Sequence, residues 1–340
     1  MMKHMPDFVV PVYILERLAQ NDVDAARASL SKLRLIHRQR NLLDFDLIST
    51  AIGEGGSERH VYDCGHNTRL RVQEARKEGD RSGSDEAVNQ AYDFAGIVRD
   101  YFKEVLNRNS IDNRGLDLLL NVHYGRNFLN AFWNGEEMVF GDGDGKIFIG
   151  FTSSLDVIGH ELTHGVTQYT SGLEYEGQSG AINEHLSDVF GTVIKQHHLK
   201  QTASEADWLI GADIMGPSLK GQALRSMKAP GTAFDNKLMG KDMQPDHMKN
   251  YYSGSDDNYG VHINSGILNK AFYLVSMEIG TDKAAAVWYQ GMQKLYATAD
   301  FSAFFHTIQQ AAQSLADKGE VPETAPKSVE SAFQAVGISQ

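Results

Sequence analysis

His160, Glu161 and His164 stand in the order His-Glu-Leu-Thr-His inside a helical pattern. Residues four apart on a helix project from the same face, so both imidazoles can hold one metal ion, and the pair suits zinc. A hydrolytic zinc takes three protein ligands and keeps a fourth position for water, commonly with two histidines and one glutamate. Glu184 follows His164 by twenty residues, within a second helical run that reads GAINEHLSDVFG over 180–191, and it is the expected third ligand. Its neighbours Asn183 and Asp188 are suited to accept the outer N–H of the ligand imidazoles and so fix their orientation. Glu161 then faces the bound water and is the expected general base, with the metal bringing the water's pKa to about 7. The bland alternative is a buried histidine pair beside a solvated helix face, and it would have to place five polar residues on two apolar helices. The longer spacing HExxHxxGxxH fails, because Thr167 and Thr170 stand where it needs Gly and His.

These helices belong to a chain of 340 residues that is 41% hydrophobic and 22% charged, which is enough for two globular lobes and excludes wholesale disorder. A formal net charge of −12 repels nucleic acid and anionic membranes. Cys64 is the one cysteine, so neither an intramolecular disulfide nor a cysteine-cluster zinc site can form. The N-terminal apolar run, broken by Pro11 and followed by Glu16 and Arg17, is too short for a signal-peptide core, and no run approaches a membrane span. The expected location is cytoplasmic, or outside the cell by a route other than Sec.

Apolar spacing from Tyr13 to Arg40 predicts two short helices broken at Asn21-Asp22. The stretch STAIGEGGS over 49–57 has the composition of an exposed linker. Residues 58–170 mix short apolar runs with turns around one helix near 85–107 and end in the His-Glu helix. Beyond it, helical patterns dominate over 180–199, 263–280, 282–297, 301–317 and 327–336, with a turn-rich segment at 211–260. The expectation is an α+β chain in four parts: a helical unit at 1–50, a linker at 51–57, a β-rich lobe at 58–170 and a helical lobe at 171–340, with a cleft between the lobes. Asp142-Gly-Asp-Gly145 reads as a turn, since an EF-hand loop counted from Asp142 would need ligands where Lys146 and Ser153 stand.

The segment HELTHGVTQYTSGLEYEGQSGAINEHLSDVFG resembles the active-site segment of the thermolysin family of zinc metalloendopeptidases. Three further blocks agree: NAFWN at 130–134 followed by GDGDG, LRSM at 224–227, and DNYGVHINSG at 257–266. The resemblance runs from Arg59 to the C-terminal AVGI. It implies that Tyr175 and His262 donate to the developing oxyanion and that Asp257 orients His262. It also implies that Asn130, the Ala131 backbone and Arg225 bind the substrate main chain. Phe148, Phe151, Val157, Ile210, Ile214 and Leu224 fall where the family builds the pocket for the residue after the scissile bond, so cleavage before Leu, Phe, Ile or Val is expected.

Two departures from the family stand out. Secreted members hold a double calcium site, yet only Asp156 and Asp207 remain of its acidic positions, and Lys195, Leu209 and Ala212 occupy the others. The double site is expected to be absent, with the Lys195 ammonium pairing with Asp156 and Asp207 in place of the ion. The second departure is the N-terminal unit, where Pro11-Val-Tyr-Ile-Leu15 resembles the start of the short propeptides of protealysin-like members. It implies an intramolecular inhibitor that blocks the cleft and is cut off near 45–57, with Ala51-Ile52 as a fitting bond. Two other classes stay open at this stage: a metal-binding regulatory protein without turnover, which would have no use for Glu161, and an exopeptidase, which would need a GxMEN-type segment that is absent.

Overall fold

The computed structural model describes residues 7–40 and 57–339, so the proposed linker up to residue 56, including Ala51-Ile52, lies outside the described residues. The N-terminal unit comprises β1 (Asp7–Phe8), α1 (Val12–Gln20) and α2 (Asp24–Arg40), and the break between its helices falls at the Asn21-Asp22 turn. The next lobe carries β2 (Arg59–Asp63), β3 (Gln73–Lys77), α3 (Glu86–Glu104), β4 (Leu118–Val122), β5 (Ala131–Trp133) and β6 (Met138–Phe140). These strands form one six-stranded sheet in the order β1-β5-β6-β4-β2-β3, mixed in direction, with β2-β4 and β4-β6 parallel. The outer strand β1 is contributed by the N-terminal unit and runs antiparallel to β5, Phe8 opposite Phe132.

Helix α4 (Leu155–Gln168) closes that lobe, and the second lobe is helical: α5 (Gly177–Leu199), α6 (Asp256–Ile279), α7 (Thr281–Met292), α8 (Phe301–Asp317) and α9 (Ala325–Ala335). Between α5 and α6 lie two-residue strands, among them β7 (Leu209–Ile210) paired with β8 (Arg225–Ser226), and two single 3-10 turns, in keeping with the Gly, Pro, Asp and Asn content of that segment. Among the described residues no helix is long and apolar enough to cross a membrane.

Helices α4 and α5 are buried along most of their length, their polar residues included. Their close approach depends on two glycines. A Cβ on Gly159 would sit 3.0 Å from the Gly191 Cα, and one on Gly191 would sit 2.5 Å from the Asp156 carbonyl oxygen. Backbone cannot yield as a side-chain tip can, so the helices lie together only because neither position carries a Cβ. That contact brings the His160/His164 face of α4 against the Glu184/Asp188 face of α5. Gly191→Ala is expected to destabilise the protein by about 1–3 kcal/mol through overpacking. Thermal unfolding followed by circular dichroism checks this, with a drop on the order of 5 °C expected.

Candidate metal centre and active site

His160, Glu161, His164 and Glu184 are each almost completely withdrawn from solvent. His160 Nδ1 donates to Asp188 Oδ1 at 2.9 Å, and His164 Nδ1 donates to Asn183 Oδ1 at 2.8 Å, with Ser187 Oγ at 3.1 Å. Both protons are therefore on Nδ1, which leaves the two Nε2 lone pairs facing each other 3.0 Å apart. The Glu184 carboxylate approaches them, with Oε2 3.5 Å from His160 Nε2 and Oε1 3.5 Å from His164 Nε2. Three lone-pair donors converging in a dry site repel one another unless a cation lies between them. Spacings of 3.0 to 3.5 Å bracket the ~3.3 Å edge of a tetrahedron with ~2.0–2.1 Å bonds, so the group fits zinc. Burial, with the neighbouring His160 and His262, outweighs the Asn183 bond and the Asp188 charge and holds the His164 imidazole well below its usual pKa, in the neutral form a metal ligand requires.

Asp188 joins this centre to the cleft. Its carboxylate accepts from His160, from Arg225 Nε and Nη2 at 2.8 Å each, and from Asn269 Nδ2 at 2.9 Å. Burial alone would raise its pKa, but the Arg225 charge and these hydrogen bonds keep it ionised far below the usual carboxylate range. Neither the Asn269 nor the Ser187 contact was expected from sequence; Asn269 lies two helical turns beyond His262 on α6, and its role shows only once α5 and α6 are packed.

His262 is reached from the other side. Asp257, Asn258, Tyr259 and Gly260 all have left-handed backbone angles, with φ between 50° and 82°, so regular helix begins only after them. Holding an aromatic residue such as Tyr259 in that region is costly. The turn lets one carboxylate serve twice: Asp257 Oδ2 accepts from the His262 and Ile263 amides at 2.8 and 3.1 Å, and Oδ1 accepts from His262 Nδ1 at 2.6 Å. Burial lowers the His262 pKa, but Glu184 and Asp257 more than offset it and lift it to about 9, so Nε2 carries a proton to donate. The Tyr175 hydroxyl lies 3.2 Å from that nitrogen and donates to Glu184.

The residues expected to hold a substrate main chain bond instead to the N-terminal unit. His262 Nε2 donates to the Phe8 carbonyl at 2.9 Å, and Arg225 Nη1 to the Val9 carbonyl at 3.0 Å. The Val9 amide donates to the Ala131 carbonyl at 3.2 Å. Asn130 grips Val10 at both ends, Oδ1 accepting from its amide and Nδ2 donating to its carbonyl, each at 3.0 Å. Phe148, Phe151, Val157, Ile210, Ile214 and Leu224 are all buried in one core, where the Phe148 and Phe151 rings pack at 5.7 Å and the Leu224 amide donates to Ile210.

Lys195 bridges Asp156 Oδ2 at 2.9 Å and Asp213 Oδ2 at 2.8 Å. The sequence expectation named Asp207 as the second carboxylate and is corrected here: Asp207 turns back to accept from the Leu209 amide, and Asp213, in the loop beyond β7, reaches the ammonium instead. Cys64 is buried, and burial pushes its thiol up to about 12, so it is inert.

Two lobes that meet on a buried His-Glu-x-x-His helix, with a glutamate as third candidate ligand, define a metallopeptidase. Residues 37–168 match the thermolysin metallopeptidase catalytic domain, and residues 171–338 match the thermolysin metallopeptidase alpha-helical domain. The chain is 46% identical over 314 residues to an extracellular metalloprotease of Pectobacterium carotovorum subsp. carotovorum, which covers 90% of each protein. It is 43% identical over 265 residues to thermolysin of Alicyclobacillus acidocaldarius subsp. acidocaldarius, covering 75% of this chain and 46% of that protein. Among solved structures, the precursor of protealysin, a metalloproteinase from Serratia proteamaculans, superposes with a TM-score of 0.87 at 42% identity and covers 98% of this chain and 100% of that one. The chain belongs to the thermolysin family of metalloendopeptidases, and within it is protealysin-like.

Away from the centre, His123 bridges Asp142 Oδ1 at 2.8 Å and Asp85 Oδ2 at 3.0 Å, tying the GDGDG turn to the start of α3. Its pKa is raised to about 9, chiefly by the Asp142 hydrogen bond, which outweighs burial. A raised histidine pKa contributes stability that is complete below about 6.5 and lost as pH climbs through about 9. His123→Gln is therefore expected to melt below the wild type at pH 6 and level with it above about pH 9.5. Melting curves across that range check it, and a difference constant with pH contradicts it.

Proposed function

We propose that this metalloendopeptidase is a zinc enzyme made as an autoprocessed zymogen, which cuts peptide bonds before bulky apolar residues. The observation that carries the zinc reading is the convergence of His160 Nε2, His164 Nε2 and a Glu184 oxygen within 3.5 Å in a site closed to solvent. Zinc held by His160, His164 and Glu184 would polarise the scissile carbonyl and lower the pKa of the attacking water. Glu161 takes the water's proton and passes it to the leaving amine. His262 and Tyr175 donate to the carbonyl oxygen as negative charge gathers on it, and Asp257 keeps the His262 imidazole aimed. Asn130, the Ala131 carbonyl and Arg225 hold the substrate backbone extended. The six apolar side chains from Phe148 to Leu224 select the residue after the cut, where burying a large side chain is worth about 1.5–3 kcal/mol.

The zymogen reading is supported by residues 8–10, which take up the backbone partners that a substrate would need. Release requires a cut between this unit and the catalytic lobes, proposed near 45–57. A peptide blocked at both ends tests the activity. The processed wild type is expected to cut it before Leu or Phe at least tenfold faster than before Asp, while chelation or Glu161→Gln abolishes cutting. Preference for a charged residue at that position contradicts the pocket assignment, and cutting that survives chelation contradicts the zinc mechanism.

We further propose that the double calcium site is absent, its charge supplied by Lys195. Asp156 is fully buried and needs a counter-charge, which Lys195 supplies permanently. Lys195→Ala is expected to cost about 3 kcal/mol, at the low end for breaking a buried pair because Ser154 and the Gly211 amide still bond Asp156. Differential scanning calorimetry should show this loss, with no rise in the wild-type melting temperature on adding calcium. Micromolar calcium affinity with a raised melting temperature contradicts it.

A further inference from the structure

Building on the peptidase reading, we propose that the Phe8–Val9 bond is itself a slow substrate of the site it covers, so that the inhibitory segment is cut within the cleft as well as behind it. The direction and register of the segment carry this. The Phe8 carbonyl accepts from His262 Nε2, an atom 3.2 Å from the Tyr175 hydroxyl and 3.4 Å from Glu184 Oε2, so it sits where the polarising donors meet the metal-binding carboxylate. The bond after that carbonyl leads to Val9, an apolar residue with 0% exposure, the type expected after the scissile bond. From there the backbone is held group by group: Val9 N–H on Ala131, Val9 C=O on Arg225, and Val10 N–H and C=O on Asn130. A chain held in this register presents one bond, Phe8–Val9, to the catalytic groups, and neither of its residues is a proline.

The chemistry needs only water. The Phe8 C–N bond breaks, the carbonyl carbon gains an oxygen and becomes the Phe8 carboxylate, and Glu161 passes the proton to the Val9 amine. Cutting is slow because the new amine stays in place. Val9 is still held by Ala131 and Arg225, and the segment behind it is anchored by α1 packing on α6 and by the Leu129 amide donating to Ser29 Oγ on α2. An amine retained beside the acyl group re-forms the bond more often than it departs. The consequence is a second route to activation, in which loss of residues 1–8 removes the acceptor from His262 while the linker is intact.

Two readouts test this. Intact-mass analysis of the zinc-loaded full chain over time is expected to show a fragment of residues 1–8 and a chain beginning at Val9, both missing from Glu161→Ala. The pair should form several-fold faster in Val9→Leu and be absent in Val9→Asp. The second readout requires no turnover. Phe8-Val9 is the one Phe-Val pair in the sequence, so ¹³C-carbonyl phenylalanine with ¹⁵N-valine marks a single amide. In Glu161→Ala its carbonyl resonance is expected to move when zinc is added to the chelated protein. A resonance that does not move, or a wild-type chain that becomes active on a blocked peptide without ever showing the cut at 8–9, overturns the inference and leaves the peptidase reading standing. If the chain shows neither that cut nor any activity on the blocked peptide, both fall.

Discussion

One buried carboxylate ties the metal centre to the substrate cleft. Asp188 carries its negative charge with no access to solvent, and it does so because four donors from three directions meet it: His160 on α4, two nitrogens of Arg225 on β8 and Asn269 on α6. An unpaired charge in that position would cost several kcal/mol, so the three elements cannot shift independently without exposing or orphaning it. The same contacts set the His160 tautomer and thus the direction of its lone pair. They also hold Arg225 with one nitrogen free to meet a peptide carbonyl, at present that of Val9. The orientation of His160 and the Arg225 contact with the Val9 carbonyl are therefore both tied to a single ion pair.

The proposed inhibitory arrangement rests on the same groups. Strand β1 (Asp7–Phe8) adds an edge to the sheet, and residues 8–10 take up His262, Arg225, Asn130 and Ala131 together through main-chain bonds indifferent to side-chain identity. Affinity is then supplemented by burial of Ile14, Leu15 and Leu18 on α1, which is why a short unit of two helices is sufficient to occupy a cleft built for extended peptides. On the zymogen reading, occupancy of these groups by residues 8–10 suffices for inhibition and needs no distortion of them.

Much of the site was legible in the sequence because its central parts are local. His160 and His164 stand four apart on one helix and Glu184 and Asp188 four apart on another, so helical spacing alone puts each pair on one face. The roles of Tyr175, His262 and Arg225 came only with the family resemblance, since each lies on a different element and no periodicity links them. Asn269 stayed hidden because its partner is 81 positions away. Asp213 was missed in favour of Asp207 because both lie in an irregular segment where side-chain direction follows turn geometry, not spacing. The left-handed run at 257–260 was concealed by its own residues, of which only Gly260 advertises a positive φ. A two-residue strand such as β1 has no period to detect, so the cleft-filling register of Phe8 to Val10 emerged only from the folded chain.

The central claim is that His160, His164 and Glu184 hold a zinc ion. Zinc-edge X-ray absorption of the metal-loaded protein tests it most directly. The account predicts two imidazole nitrogens and one carboxylate oxygen at about 2.0–2.1 Å, with one further light-atom ligand completing a tetrahedron. A first shell without imidazole scattering, or one containing sulfur at about 2.3 Å, contradicts it.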